Sequence, residues 1–431
     1  MAVAEVKQIK ESLSDAEVLV VAPRFPSINQ PWMDTYLEQL KKNQIGFCIA
    51  TSLREIGAYQ EKVDRLGLRK KAFLLRLGPR ASFLSVLQSC VRRPRYTWLL
   101  IRGTVSGLSG NESLRNRFAL GLRAIAADDP LHHFEHLRLI HCHSLGVGQH
   151  FMPAAKRKRL PLVTTFHGLE PPGVPQIAPH RRIRLFEASQ KVIVNTDFAR
   201  KHVTQLGCPP GKITVLPQGL PLEDFPFRQR PCPAPEQPLE LLSVGRFQRD
   251  KGQAFSILAL RRLRDSGINA SWHFVGAGPD KARLLRLAQR LEVESFITFH
   301  EGLSSTALLA LYHRCHLFVL ASRDSRGRVE HVETQGVVLQ EAQATGCIPI
   351  ATRVGGIPEC INQQKDGILV PDGSHRAIAT AIMDLVASPE RWLELQENGR
   401  RNVEERFSAD VIGNRMAELL RQLMQESSPE S

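Results

Sequence analysis

Six prolines fall between Pro221 and Pro238, at positions 221, 226, 231, 233, 235 and 238. Proline has no amide hydrogen to donate, so such a stretch cannot lie inside a sheet. It divides the chain into two series, each alternating short β-branched apolar runs with helix-length periodic stretches, the pattern of parallel α/β sheets. Before it, Glu17–Ala22, Ile45–Ala50, Leu139–Cys142, Leu162–Phe166, Lys191–Val194 and Ile213–Leu216 read as strands, and Trp32–Lys42 as a helix. After it, strands are expected at Leu239–Val244, Ser271–Val275, Phe296–Phe299 and Leu317–Leu320, with helices at Gln253–Asp265, Lys281–Leu291 and Thr306–His313. The expected organisation is a doubly wound α/β domain over 1–225, a proline-rich linker over 226–238, a second α/β domain over 239–408, and a C-terminal helix and tail over 409–431. Val411, Ile412, Met416, Leu419, Leu420 and Leu423 in that last helix recur at helical spacing and want a partner surface. Ligands of such sheets sit beyond the carboxyl ends of the strands, so the cleft between the domains is the expected site.

Charge narrows the function classes. The chain carries 57 Lys and Arg against 43 Asp and Glu, a net +14 that favours phosphates, nucleic acid or an anionic membrane surface. Between Glu61 and Arg123 there are fourteen basic residues and three acidic ones, Glu61, Asp64 and Glu112. The only aromatics there are Phe73, Phe83, Tyr96, Trp98 and Phe118, with no recognised base-stacking module, which argues against nucleic acid as a partner. Within Ser113–Ala126, Leu114, Phe118, Leu122 and Ile125 form a helical stripe with Arg115, Arg117 and Arg123 off it. That helix either lies on an anionic membrane or packs on the core with a basic solvated side. The eight cysteines contain no C-x-x-C pair, as expected of reduced thiols rather than a disulfide frame or a zinc site. The N-terminus has no apolar core of a signal peptide, and no apolar run approaches the ~20 residues that span a bilayer. A cytoplasmic protein, at most peripheral at the inner face of the plasma membrane, is the expectation.

Three segments could carry chemistry. Ser243-Val-Gly-Arg-Phe-Gln-Arg-Asp-Lys-Gly252 leaves a strand and opens a helix, which brings Gly245, Arg246 and Lys251 near free helix amides that favour an anion. A solvated strand-to-helix turn is the plainer reading of that segment alone. Glu333-Thr-Gln-Gly-Val-Val-Leu-Gln-Glu341 sets two carboxylates eight residues apart, about 12 Å along an axis if both lie on one helix. At that separation they cannot share a metal or a proton, but they can hold two hydroxyl-bearing ends of a long ligand, with the amides of Gly336, Val337 and Val338 cradling a diphosphate between them. Ile348-Pro-Ile-Ala-Thr-Arg-Val-Gly-Gly-Ile-Pro-Glu359 reads as a buried strand ending in a Gly-Gly loop where backbone can approach a ligand.

Taken together, S-V-G-R-x4-K-G, Phe274-Val-Gly-Ala-Gly-Pro-Asp280, the E-x7-E pair and A-T-R-V-G-G-I-P-E resemble, in order and spacing, glycosyltransferase family 4. Thr165-Phe-His-Gly168 looks like that family's T-x-H-G segment, and Val215-Leu-Pro-Gln-Gly-Leu220 with Asp224-Phe225 like its V-x-x-N-G-V-D element. Arg24-Phe-Pro-Ser-Ile-Asn-Gln30 and Glu333–Ala344 are similar to the exopolysaccharide transferases of the colanic-acid type. The resemblance implies a GT-B architecture: two facing Rossmann-like domains with parallel sheets and an interdomain cleft, acceptor side first and nucleotide sugar second. It implies a retaining hexosyltransferase using a nucleoside-diphosphate sugar, with a saccharide or lipid-linked saccharide as acceptor. Arg246 and Lys251 would grip the diphosphate, Glu333 would accept hydrogen bonds from the sugar hydroxyls, Glu341 would hold the ribose, and His167 would stand close to the sugar and acceptor. No Asp-x-Asp occurs in the sequence, so no divalent metal or other cofactor is expected and cationic side chains would serve instead.

Departures from the pattern mark what the resemblance does not carry. Arg24–Gln30 stands where many members have a Gly-Gly loop, Gln218 replaces the usual asparagine, and Ala321–Glu333 forms a charged loop with Arg323, Asp324, Arg326, Arg328 and His331. A rival reading of another class is a GT-B protein that only binds glycans or sugar nucleotides; intact Arg246, Lys251, Glu333 and Glu341 speak against it. His141 and His143 alternate at a strand end and so share a face, but no further ligand at metal-site spacing accompanies them. His132-His133 reads as a solvated turn beside Asp128-Asp129.

Overall fold

The alternation of apolar runs and periodic stretches folds into two parallel sheets. The computed structural model describes residues 15–27, 31–53, 60–75, 79–105, 114–168, 177–324 and 332–426. Residues 28–30 of the opening loop, 106–113 of the basic stretch, and Arg326, Arg328 and His331 lie outside the described residues.

The first sheet contains β1 (Val18–Arg24), β2 (Phe47–Leu53), β3 (Ala72–Leu74), β4 (Leu139–Cys142), β5 (Leu162–Phe166), β6 (Lys191–Val194) and β7 (Ile213–Val215), in the order β3-β2-β1-β4-β5-β6-β7. The second contains β8 (Leu239–Val244), β9 (Ala270–Val275), β10 (Ile297–His300), β11 (Leu317–Leu320), β12 (Ile348–Thr352) and β13 (Ile368–Val370), in the order β10-β9-β8-β11-β12-β13. Every pairing is parallel, with β1 in register from Val18 opposite Phe47 and Leu139. Helices cover both faces, which is why central strands such as β4, β5 and β11 are buried at every position rather than at alternate ones. Along β1, Leu19 and Val21 enter one core with Ile140 and Val192, while Val18 and Val20 enter the opposite core with Leu139 and Ile193. The strand order reverses between β1 and β4 and between β8 and β11, and the carboxyl ends of those strands are where such sheets bind ligands.

Three features differ from the sequence expectation or extend it. The helix Ala409–Glu426 returns to the first sheet, where Ile412, Met416, Leu420 and Leu423 pack with Val18, Val20, Leu37 and Leu40. The chain thus crosses between domains twice, and the crossings are tied by Leu220 N–H to Phe407 O at 2.7 Å and Ala409 N–H to Leu220 O at 2.8 Å. The proline-rich segment is fastened to the second domain: Gln396 brackets Arg230, accepting from its amide at 2.8 Å and donating to its carbonyl at 2.6 Å.

Between β3 and β4 the chain inserts helices Pro79–Arg92, Arg95–Val105 and Leu114–Asp128. Leu122 and Ile125 of the third are buried with Val86 and Tyr96, as the core-packing alternative expects, while Phe118 of the same stripe is exposed. His132 is no solvated turn. Its ring lies against Tyr96, whose hydroxyl donates to Asp128 at 2.6 Å and meets His132 Nε2 at 2.9 Å, and burial with nearby arginines pushes the imidazole down to about 4. A pair of adjacent histidines and aspartates reads as polar in sequence because the tyrosine that seats them lies more than thirty residues away.

Candidate active site

The second domain supplies one wall of the cleft from three strand ends. Beyond β8, Gly245 and Arg246 enter the cleft, and the Gln253 side chain holds the Arg246 carbonyl at 2.9 Å. The following turn carries Lys251, whose ammonium donates to Glu333 Oε2 at 2.5 Å. An ammonium has three hydrogens, so this bond leaves two for a further acceptor. The helix Val337–Thr345 begins at Gly336, which adopts φ +81°, a left-handed conformation that glycine takes without strain. Gly336, Val337 and Val338 therefore present the start of that helix to the cleft, with the unpaired amides and partial positive charge of a helix N-terminus.

Glu333 is not on this helix. It lies in the preceding loop, so the two glutamates are not stacked along one axis as their spacing suggests. Glu341 sits deeper, half-buried behind Val337, and accepts from the Tyr312 hydroxyl at 2.7 Å. Burial pushes its carboxyl above the usual range, and the Tyr312 hydrogen bond works in the opposite direction. The Gly355-Gly356 turn approaches backbone rather than a ligand. A Cβ on Gly355 would stand 2.0 Å from the Glu333 oxygen and one on Gly356 2.0 Å from that of Thr334, and the Gly356 amide donates to Glu333 O at 2.9 Å. The two glycines thus set the position of the loop that carries Glu333.

The first domain supplies a wall of stacked rings. His143 follows β4 and His167 follows β5, with their ring centroids 5.6 Å apart and His143 Nδ1 3.3 Å from His167 Nε2. Trp32 lies over His167 at 4.0 Å. His141 shares a face with His143, centroids 4.1 Å apart, and bridges the Tyr36 hydroxyl at 2.7 Å to Thr165 at 2.8 Å. Burial lowers His141 and His167 to about 3 and His143 well below its ordinary value, so all three rings are neutral near pH 7. The Gln218 side-chain amide donates to His167 Nδ1 at 3.2 Å. His167 must then carry its hydrogen on Nε2, from which it donates to His143 Nδ1, and His143 must carry its own on Nε2. That Nε2 is buried without a protein partner at the wall of the cleft. Among the described residues no cluster of three His, Cys, Asp or Glu could hold a metal.

The two walls touch through the same loop. Thr334 donates to His167 O at 3.2 Å and accepts on its own carbonyl from Thr196 at 2.8 Å. Gln335 accepts from the Gln218 amide at 2.8 Å and donates to its carbonyl at 3.1 Å. Glu359 reaches across to cap the helix Asp197–Gln205, accepting from the amides of Asp197 and Phe198, both at 2.7 Å. The result is a cavity of about 770 Å³ lined by Gly245, Arg246, Lys251, Glu333, Gly336, Val337 and Val338 from one domain and His167 from the other; Glu341 lies behind it. Arg24, Trp32, His143, Arg182 and Gln218 line it as well; the sequence marks Arg24 and Gln218 as motif positions and His143 by its alternation, without a site role, and leaves Trp32 and Arg182 unmarked. Arg24, Arg182, Arg246 and Lys251 against Glu333 give the lining a cationic excess suited to an anionic ligand.

Comparison with known proteins adds identity to this geometry. Residues 224–402 match the family model described as glycosyl transferases group 1, and residues 73–224 the model described as glycosyltransferase family 4. The chain is 29% identical over 287 residues, 64% of its length and 70% of the relative's, to the Escherichia coli protein named as colanic acid biosynthesis glycosyltransferase WcaL. It is 27% identical over 248 residues, 55% and 63% respectively, to a GDP-mannose-dependent α-(1-6)-phosphatidylinositol monomannoside mannosyltransferase of Mycobacterium tuberculosis. The solved structure of Anabaena Alr3699/HepE in complex with UDP superposes at a TM-score of 0.70 and 16% identity over 94% of this chain and 100% of that one. At that identity the likeness concerns the fold, which is GT-B.

Proposed function

The chain belongs to glycosyltransferase family 4, among the group 1 glycosyl transferases of polysaccharide biosynthesis, and we propose that it moves a hexose from a nucleoside-diphosphate sugar to a lipid-linked or growing cell-surface glycan. The observation that carries this reading is the convergence on one cavity of Arg246, Lys251 and the N-terminus of the helix Val337–Thr345, facing His143 and His167. Breaking the anomeric bond leaves negative charge on the diphosphate. Fixed cations and helix amides aimed at that charge lower the barrier because they interact with it more strongly as it develops. Arg246 offers a forked pair of donors and Lys251 a compact charge, with Glu333 holding the lysine in place and accepting from a sugar hydroxyl. Neutral His143 offers its Nε2 hydrogen to an oxygen of the sugar or acceptor. Glu341 takes the ribose from behind Val337. Side-chain cations do the work that a divalent metal does elsewhere, so transfer proceeds in EDTA, and the anomeric configuration is retained.

Support for a nucleotide donor comes from the relatives: one is named as GDP-mannose-dependent, and the superposed structure is a complex with UDP. The test is release of nucleoside diphosphate from UDP-, GDP- and ADP-hexoses in EDTA, by the protein and by Arg246→Ala and Lys251→Ala. One donor is expected to turn over, and each substitution to cost ~2.7–4 kcal/mol of barrier, about a hundred- to thousandfold in rate. Near-normal turnover by a folded Lys251→Ala or Arg246→Ala protein would remove these residues from the mechanism.

A further inference from the structure

The helical hairpin between β3 and β4 is apolar on both sides. In Pro79–Arg92, Val86 faces the small core under the insertion, while Phe83, Leu87 and Val91, spaced four residues apart, stand 50, 54 and 79% exposed. In Arg95–Val105, Tyr96 and Leu100 face inward while Trp98 and Ile101 are 56 and 58% exposed. A surface helix of a soluble domain has one apolar stripe, and a helix apolar all round has its outer face covered by something other than water.

Charge says what covers it. From residue 79 to 105 the sequence contains five arginines and no aspartate or glutamate. Arg92 and Arg95 are exposed at the turn joining the two helices, and Arg115 is exposed at the start of the third. Among the described residues, Asp128 is turned inward to Tyr96 and Arg157, and Asp129 to Ser89 and Arg93. Outward aliphatic and aromatic side chains beside exposed arginines form the surface that lies in the interface of an anionic bilayer, apolar groups among the acyl chains and guanidinium groups at the phosphates.

We propose that the hairpin of residues 79–105 is a membrane-docking element that inserts Phe83, Leu87, Val91, Trp98 and Ile101 into an anionic lipid surface. It leaves the sheet at the carboxyl end of β3, the edge on which Arg24, His143 and His167 also stand, and Leu53 and Leu74 end β2 and β3 there with their side chains exposed. Docking through this element deepens the reading above on the acceptor side, because a lipid-borne acceptor then meets the cleft in two dimensions. It does not require transfer, and it is measured without donor.

The experiment is co-sedimentation of the full chain with vesicles of phosphatidylcholine alone or mixed with phosphatidylglycerol, at low and high salt. The protein is expected to bind the mixed vesicles, less so at high salt, with a blue shift of Trp98 emission. Leu87→Glu/Val91→Glu is expected to lower the bound fraction at least about tenfold, with an unchanged melting temperature because both side chains are exposed. Arg92→Glu/Arg95→Glu tests the charge independently of the apolar face. Equal vesicle binding by the substituted and parent proteins would overturn the proposal. So would a dimer in solution that Leu87→Glu disperses, since a second copy would then cover the face. Loss of vesicle binding with donor turnover intact, or the reverse, separates this inference from the transfer reading.

Discussion

At Gln218 the side-chain amide donates to His167 Nδ1, and through that one bond it fixes the hydrogen on two further ring nitrogens, ending at His143 Nε2 in the cleft wall. An asparagine is one methylene shorter, so the departure from the family's usual residue has a structural consequence that its sequence position alone does not reveal. Gln218→Leu removes the donor and lets His167 take either tautomer; kcat is expected to fall about tenfold, the worth of one buried hydrogen bond. Gln218→Glu accepts instead of donating and imposes the opposite tautomer, so it is expected to be slower still. Full activity in both would mean that the ring chain contributes nothing to transfer. The same rings make stability depend on pH. His141 and His167 are held near 3 in the fold against about 6.5 in the unfolded chain, so the unfolded chain binds more protons below that value. Their contribution is complete above about pH 6.5 and is lost as pH falls toward 3, at ~1 kcal/mol per pH unit for each ring within that window. Denaturation midpoints at pH 7.5 and 5.5 check this: the midpoint is expected to drop in acid, and an unchanged one would show that the rings are already charged.

The elements around the cleft are coupled by the loop of residues 333–336, which touches the first domain at His167, Thr196 and Gln218 while carrying Glu333 to Lys251. Glu359 closes the same junction by capping a helix of the other domain. Removing a helix cap costs about 0.5–2 kcal/mol, so Glu359→Ala is expected to lower stability by that order and, by loosening the junction, to raise the KM for donor more than it lowers kcat. A KM unchanged in a measurably destabilised variant would show that closure and donor binding are independent. The I-P-E tail of its motif was legible as part of a pattern, but not as an interdomain cap, because the amides it meets are more than 160 residues away. Local chemistry explains the other hits and misses. β5, β11 and the three-residue β7 are legible as apolar, β-branched runs, whereas β3 and β13 are not. The stripe within Ser113–Ala126 fits a membrane or a core equally well in sequence, and its Leu122 and Ile125 turn to a core; the two preceding helices carry apolar residues on both their buried and exposed faces, so the pattern does not single out their outward one.

For the whole molecule, proline density and alternation were enough to expect two parallel-sheet domains and a cleft, because both are properties of short segments. Where the C-terminal helix docks, and that the proline-rich segment is fastened rather than loose, depend on contacts between distant segments and had to come from the structure. Both bear on the account's central claim, that an anion held between the domains bridges Arg246, Lys251 and the helix at Gly336. The most direct test is thermal stabilisation by UDP, GDP, ADP and CMP in EDTA, for the protein and for Arg246→Ala. One nucleotide at a hundred times its dissociation constant is expected to add ~2.7 kcal/mol to the native protein and much less to the variant. Stabilisation by none of the four, or equal stabilisation of both proteins, would contradict it.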